Sequence, residues 1–291
     1  MKNKPKLKHK NLGFNLIWIF VLLVGYWGYK NVTSSVFLKN KDKINVVFFG
    51  NTTRYYSIDP KGLDYFLSFP ADARMLVPGG YGQYRAGAVN KLAMLEKKPD
   101  LIRKTFSWAT SSMVDLYFYP LEGTIFYKQS EDTEFSPTFY EIFLNPGNAN
   151  LVDRFFVLGS LVGKSKNSYK GIKIGNDFNQ EEFTKDNMGI FYKRSYRNSQ
   201  INVQIEYSKS YRTGQLISDI LDGEGIRVVD LTSKGEDSDE PCEIITSKDN
   251  LGTEVAQGIK NFFGCRTKVG EVTVSDIILK LGKVERDWAI E

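Results

Sequence analysis

The sequence contains almost no histidine. Only His9 is a histidine among the 291 residues, and it lies in a lysine-rich segment at the N-terminus. A Ser-His-Asp triad, a Cys-His dyad and an imidazole-ligated zinc site each need a histidine in the folded region. The sequence therefore excludes all three kinds of site from residues 11–291.

Cysteine is nearly as scarce, since Cys242 and Cys265 are the only two. Their spacing is far from Cys-x-x-Cys, which argues against thiol redox catalysis and metal binding. Each cysteine opens a predicted strand, and the two strands flank one predicted helix. If these strands are neighbours, the cysteines can form a disulfide, and two free buried thiols are the alternative. We predict the disulfide.

The folded region has no excess of positive charge. The whole chain has 39 basic and 34 acidic residues, and five lysines lie within residues 1–10, so residues 11–291 hold 39 − 5 = 34 basic residues against 34 acidic ones. Nucleic-acid binding needs lysine and arginine clustered on one surface. The sequence therefore predicts no nucleic-acid partner. The five lysines are Lys2, Lys4, Lys6, Lys8 and Lys10.

An uncharged run of 18 residues follows, LGFNLIWIFVLLVGYWGY at 12–29. This is about the minimum length for a membrane-spanning helix, and its aromatic residues suit the membrane interface. The preceding lysines place the basic tail, 1–11, in the cytoplasm. We predict a single-pass transmembrane helix at 12–29 that binds the lipid bilayer of the cell membrane. A cleaved signal peptide is the alternative, but Val32-Thr33-Ser34 is a poor cleavage site.

The rest of the chain predicts two extracytoplasmic α/β domains. A polar linker at 30–42 precedes a domain at 43–195, and a second domain occupies 200–284. In the first domain the patterns predict strands at 44–50, 55–59, 63–69 and 113–119, and helices at 86–96, 99–110 and 148–163, the last capped by Asn148. In the second they predict strands at 201–207, 226–231, 242–246, 265–269 and 274–281, and helices at 212–222 and 252–263.

Two glycine-containing segments could approach a phosphate. The segment from Gly159 to Ser165 nearly spells a P-loop, but it has three residues instead of four between its glycines. It also ends a predicted helix, which favours a helix C-terminus. The second segment is the predicted loop containing Gly79, Gly80 and Gly82, for which a plain tight loop is the alternative.

The second domain resembles the LytR C-terminal domain of bacterial envelope proteins. The resemblance rests on INVQIEY at 201–207, on CEIITSKDNLGTEVAQGIKNFFGC at 242–265, and on the ending VSDIILKLGK, in which an Asp precedes an apolar strand closed by Leu-Gly-Lys. The first loop differs from the family, because Ser208-Lys209-Ser210 replaces the usual Asn-Gly. The resemblance covers about residues 200–284.

The first domain resembles, at greater distance, the LytR-CpsA-Psr domain. The motifs are FFGNTTR, FLSFPAD, a glycine loop and MVDLYFY, in that order. Enzymes of this family transfer glycopolymer from a polyprenyl-pyrophosphate carrier to the cell wall, and arginine and aspartate residues hold the pyrophosphate and its metal ion. Arg54 and Asp72 match family positions. However, Thr52 and Ala71 replace a family aspartate and a family arginine.

The resemblance implies a remnant anion site made by Arg54, Asp72, Arg74 and Arg85, and structural ion pairs are the alternative for these residues. We therefore predict a non-catalytic, membrane-anchored protein that interacts with cell-wall polymer or envelope proteins and needs no cofactor or metal. The alternative is a diverged phosphotransferase that moves glycopolymer from polyprenyl-pyrophosphate to the cell wall, and Mg²⁺ is expected only in that case.

Overall fold

Two five-stranded mixed sheets organise the fold, together with a two-stranded hairpin and eleven described helices. The structure is a computed structural model that describes residues 12–39, 42–127, 135–234 and 240–290. The chain is thus mixed α/β, as predicted. The predicted basic tail at 1–11 lies outside the described residues.

The elements follow the chain in alternating order. The strands are β1 Ile44–Phe48, β2 Thr52–Ile58, β3 Asp64–Pro70, β4 Arg74–Val77, β5 Gly82–Arg85, β6 Leu116–Phe118, β7 Tyr169–Lys173, β8 Asn202–Tyr207, β9 Arg227–Ser233, β10 Glu243–Thr246, β11 Arg266–Val269 and β12 Ile277–Lys280. The helices are α1 Leu12–Ser34, α2 Val36–Lys39, α3 Val89–Leu95, α4 Asp100–Thr110, α5 Phe139–Phe143, α6 Leu151–Leu161, α7 Gln180–Asn187, α8 Arg194–Ser199, α9 Tyr211–Glu224, α10 Glu254–Phe263 and α11 Lys283–Asp287.

The first sheet has the order β6-β1-β2-β3-β7. The three central strands are antiparallel, and the outer strands β6 and β7 run parallel to their neighbours. All five residues of β1 are buried because both faces of the sheet are covered. Residues of α3 and α4 join the core on one face, and residues of α5 and α6 contribute to the core on the other.

The second sheet has the order β11-β10-β12-β8-β9 and shares a core with α9 and α10. Strands β10 and β11 are parallel neighbours joined through α10. Cys242 and Cys265 lie just before these two strands, with their Cα atoms 4.5 Å apart, and form a disulfide. The predicted disulfide is confirmed, because the strands are neighbours as the prediction required.

Buried contacts join the two sheets. Lys193 Nζ lies 2.9 Å from Asp115 Oδ1 and 2.8 Å from Glu224 Oε1. Near residue 290 the chain reaches the hairpin between β4 and β5, where the amides of Gly79 and Gly80 donate to the Ala289 carbonyl at 2.9 and 3.0 Å.

One local prediction needs correction, and three strands were not predicted. The predicted loop containing Gly79, Gly80 and Gly82 is confirmed as the turn of a hairpin, but its strands β4 and β5 were not predicted. Asn150, rather than Asn148, caps α6, because its side chain accepts from the Asp153 amide in a capping box. Strand β7 lies in the polar stretch 164–200, where the sequence patterns predict no strand. It pairs with β3 at the sheet edge, where exposed polar residues are compatible with a strand.

The predicted membrane-spanning helix at 12–29 is not supported. Helix α1 does cover this range and continues to Ser34, so the predicted linker at 30–42 is partly helical, as α2 also shows. In the described part of the chain, no helix combines the length and apolar character needed to cross a membrane. Within α1 the described apolar run at 17–24 is followed by glycines and by the polar residues Lys30, Asn31, Thr33 and Ser34.

Candidate functional site

A cleft of about 760 Å³ lies between the hairpin β4–β5 and helix α9. One wall comes from the hairpin, from α4 and from the start of α7, and the other from helix α9 and from Ile290. Its lining mixes aromatic rings with amides, carboxylates and guanidinium groups, a combination typical of sites for polar ligands. The lining residues are Arg74, Leu76, Gln83, Trp108, Phe178, Asn179, Gln180, Glu181, Tyr211, Arg212, Gln215, Leu216, Asp219 and Ile290.

One face of α9 presents a hydrogen-bonded row of polar groups to the cleft. Tyr211, Gln215 and Asp219 are four residues apart, so they lie one above another on the helix. The Tyr211 hydroxyl donates to Gln215 Oε1 at 3.2 Å, and Gln215 Nε2 donates to Asp219 Oδ1 at 2.8 Å. Burial raises the pKa of Asp219 above its ordinary value. These bonds hold all three side chains in defined orientations.

Aromatic rings line the opposite wall. The rings of Trp108 and Phe178 meet edge to face, with centroids 6.2 Å apart. Beside them, Gln180 Nε2 donates to Ser111 Oγ at 3.0 Å and to Thr184 Oγ1 at 2.9 Å, which fixes the amide at the start of α7. This wall can stack against the apolar face of a ring, while its amides bond hydroxyl groups.

An arginine contributes positive charge to the cleft from each side, Arg74 from β4 and Arg212 from α9. Within the described residues neither of them takes part in an ion pair. Arg74 lies directly opposite Arg85 in the hairpin register, an arrangement of like charges that costs free energy. Asp72 lies 3.3 Å from Arg85 and offsets part of this repulsion. A bound anion would offset more.

The structure brings together three of the four residues of the predicted anion site. Asp72, Arg74 and Arg85 belong to one hairpin region. Arg54 is buried against the other face of the first sheet, where it pairs with Glu141 of α5 and lies over the ring of Phe48. The alternative of structural ion pairs therefore describes Arg54, and it also describes Asp72 with Arg85. Only Arg74 lines the cleft.

Both glycine segments have structural roles. The amides of Gly79 and Gly80 donate to the Ala289 carbonyl. Gly79 and Gly82 have φ angles of 98° and 75°, a left-handed backbone conformation that glycine adopts most easily. Gly159 lies inside α6 and Gly163 follows its end with φ of 86°. No strand leads directly into this segment and no helix begins at Lys164, so the P-loop alternative is wrong.

The sequence analysis did not predict most of the residues that line the cleft, although one pattern in the sequence indicates part of it. The i, i+4, i+8 spacing of Tyr211, Gln215 and Asp219 within a predicted helix marks a polar face. Trp108 gave no such signal, because the other large apolar side chains of its helix are core residues.

The described residues do not fit the Mg²⁺ site that the resemblance implies. Across the described ranges, no group of three or more His, Cys, Asp or Glu side chains could hold a metal ion. The carboxylate at the matched position, Asp72, is paired with Arg85.

No family model matches the chain, and no curated protein is similar to it. Solved structures of TagT, a LytR-CPS2A-psr family protein, match 28% of the chain. The crystal structure of B. subtilis TagT is 23% identical, with a TM-score of 0.23 and 33% of its own chain covered. YwtF (TagT) with bound octaprenyl pyrophosphate lipid is 23% identical, with a TM-score of 0.24 and 35% covered. TagT bound to LIIa-WTA is 21% identical, with a TM-score of 0.24 and 33% covered.

The chain thus spans about a third of the length of these proteins. The resemblance of residues 200–284 to the LytR C-terminal domain stays a prediction, as do the domain boundaries.

Proposed function

We propose that the chain is a non-catalytic binding protein for an anionic glycopolymer of the cell envelope, and that the cleft between the sheets holds this polymer. The observation that supports the proposal is the pair of arginines, Arg74 and Arg212, which face one cleft from opposite walls without ion-pair partners in the described part of the chain. Guanidinium groups bind phosphate or carboxylate through paired hydrogen bonds.

The remaining lining suits the sugar or polyol part of such a polymer. Trp108, Phe178 and Tyr211 offer aromatic surface, and Gln83 and Gln215 offer amide groups for hydroxyls. A polymer needs an open groove rather than an enclosed cavity, and the cleft runs between two separate walls.

We further propose that α1 attaches the chain to a lipid bilayer and that both sheets lie outside the cytoplasm. The large apolar side chains at 17–24 are 50–69% exposed, so α1 presents apolar surface that no described part of the chain covers. The disulfide suits an oxidising compartment. This location would bring the cleft close to envelope polymers.

The diverged phosphotransferase is the second candidate function. Asp72, Arg74 and Arg85 support this candidate. They lie together in the hairpin region at the end of the matched motif FLSFPAD, and their two guanidinium groups outnumber the one carboxylate. Against it, Arg54 already pairs with Glu141, and Thr52 and Ala71 carry neither the carboxylate nor the guanidinium of the family enzymes.

A binding titration tests the proposal. The full chain in detergent would be titrated with a glycosylated polyol-phosphate oligomer and, separately, with a neutral oligosaccharide of similar length. We expect Arg74→Ala and Arg212→Ala each to weaken binding of the charged oligomer at least about tenfold, because each removes a charge-assisted contact. Arg227→Ala, an exposed arginine of β9, is the matched control. Equal binding of both oligomers, or no effect of either cleft variant, would contradict the proposal.

A transfer assay separates the two candidate functions. The full chain would be mixed with a polyprenyl-pyrophosphate-linked glycan and wall acceptor, with and without Mg²⁺. We expect no transfer, and turnover that depends on Mg²⁺ would replace the binding function with the enzymatic one.

A further inference from the structure

Helices α5 and α6 expose an unusual amount of aromatic surface. The exposed fractions are 64% for Phe139 and 61% for Tyr140 in α5, and 58% for Phe155 and 42% for Phe156 in α6. Single exposed apolar residues are common, but contiguous apolar patches mark a surface that binds something.

The rings form a continuous surface. Phe139 stacks on Phe143 with centroids 4.5 Å apart, and Phe143 meets Phe155 edge to face at 5.2 Å. The next residue, Phe156, stacks on Phe37 of α2 at 5.2 Å. We call Phe37, Phe139, Phe143, Phe155 and Phe156 the aromatic face. It runs from α5 across α6 to the segment that directly follows α1.

The aromatic face is fixed relative to the end of α1. Asn150 Nδ2 donates to the Asn31 carbonyl at 2.8 Å and to Ser34 Oγ at 3.0 Å. Ser35 Oγ donates to the buried Asp153 Oδ1 at 2.6 Å. These bonds join the last turn of α1 to the first turn of α6, so the exposed apolar helix and the aromatic face form adjoining parts of one surface.

The charges around the aromatic face also favour a lipid surface. Glu141 and Asp153 are the only acidic residues of α5 and α6, and both are used internally, Glu141 in its pair with Arg54 and Asp153 in capping α6. Lys30 and Lys39, which flank the junction of α1 and α2, are exposed. Phenylalanine and tyrosine beside lysine are typical of surfaces that lie among lipid headgroups.

We infer that the aromatic face lies in the interfacial layer of the bilayer to which α1 attaches, so that the first sheet rests on the membrane through α5 and α6. This inference rests on the proposed membrane attachment of α1. It adds a second contact, which sets the orientation of the protein on the membrane. A second copy of the chain on this face is the competing occupant.

Spin labels can test the inference directly. Both native cysteines are bridged, so a label reacts only with an introduced cysteine. The full chain would carry one label at a time, through Phe155→Cys in the aromatic face, Phe20→Cys in α1 or Val274→Cys, which is 72% exposed beside the second sheet. Each variant would be reconstituted in vesicles of phosphatidylglycerol and phosphatidylethanolamine. The rates at which the spin label collides with oxygen and with a water-soluble nickel chelate then report how deep the label lies in the bilayer. Phe139→Cys provides a second position in the aromatic face.

We expect the label at 155 to collide several-fold less with the nickel chelate than the label at 274, and more with oxygen. A label at 155 that is as water-accessible as the one at 274, while the label at 20 is in lipid, overturns the inference but leaves the attachment of α1 intact. A label at 20 that is in water contradicts the attachment itself. Dipolar broadening between labels at 155, without lipid contact, would show that a second copy covers the face and would also overturn the inference.

Discussion

Lys193 Nζ lies 2.8 Å from Glu224 Oε1, and both side chains are almost completely buried, at 2% and 0% exposure. Glu224 is the last residue of α9, and its second oxygen accepts from the Met113 amide at 2.8 Å. Asp115 approaches Lys193 from the first sheet at 2.9 Å. Burial lowers the pKa of Lys193, but the two carboxylates outweigh it and hold that pKa well above its ordinary value. The group therefore links the two sheets through buried charge.

The stability of the chain should decrease as pH rises through the titration of Glu224. Burial raises the pKa of this carboxyl from 4.5 to about 7. Between these values the folded state keeps a proton that the unfolded state has lost, so the free energy of unfolding falls with rising pH. We expect a loss of up to about 3 kcal/mol across the window, with no further change from this group above it.

Urea unfolding at a series of pH values between 4.5 and 8 measures this dependence. Asp219 and Asp222 also have raised pKa values because of burial, so the wild-type curve contains their contributions too. The difference between wild type and Glu224→Gln isolates Glu224. If the two curves run parallel across the window, Glu224 does not titrate as we predict.

Removing the charge of Lys193 should destabilise the fold strongly. Lys193→Met keeps the length of the side chain but removes the cation beside Glu224. At pH 8 Glu224 must then either stay charged without that cation or take up a proton, which costs about 3–5 kcal/mol. Adding Glu224→Leu should restore much of the loss, because the uncompensated charge disappears as well. Lys185→Met, at an exposed position of α7, is the control and should change the free energy of unfolding by less than about 1 kcal/mol. Urea unfolding of the four proteins gives the comparison, and a Lys193→Met variant as stable as the control would refute the coupling.

Two helical glycines should respond to alanine in opposite ways. A Cβ on Gly223 of α9 would lie 1.7 Å from the Ser111 carbonyl oxygen, a backbone atom at the C-terminal end of α4. Gly223→Ala must therefore separate the two helices, at a cost of about 3 kcal/mol or more. A Cβ on Gly159 of α6 meets nothing within 4 Å, so Gly159→Ala should stabilise the fold by about 0.5–1 kcal/mol. Thermal unfolding of both variants tests the pair, and shifts of the same sign would contradict the packing described for Gly223.

The disulfide should contribute about 3 kcal/mol, because it closes a loop in the unfolded chain. Replacing Cys242 and Cys265 together with serine removes this constraint and should lower the free energy of unfolding by that amount. Dithiothreitol should lower the stability of the wild type to a similar level and leave the double variant unchanged. A reductant that destabilises both proteins equally would show that its effect does not come from the disulfide.

The second sheet was easier to predict from the sequence than the cleft. Strands β8 to β11 and both helices lie close to their predicted positions, because each has a clear apolar pattern bounded by glycine or a cap. The hairpin β4–β5 was missed, since its strands have four residues each and its turn is rich in glycine. The partner of Arg54 could not be predicted either, because Glu141 lies 87 residues away and nothing local indicates their contact. The cleft could not be predicted for the same reason, because its walls come from distant parts of the chain.

The bonds from Gly79 and Gly80 to Ala289 have a consequence for how the protein is made. During synthesis the glycine turn leaves the ribosome long before Ala289 does, so its two amides have no native acceptor until the second sheet has been translated. The hairpin that carries Arg74 is therefore expected to be among the last regions to acquire protection from proteases. The cleft would be completed only when residues 282–290 dock, as Trp288 packs against Phe262 and Phe263.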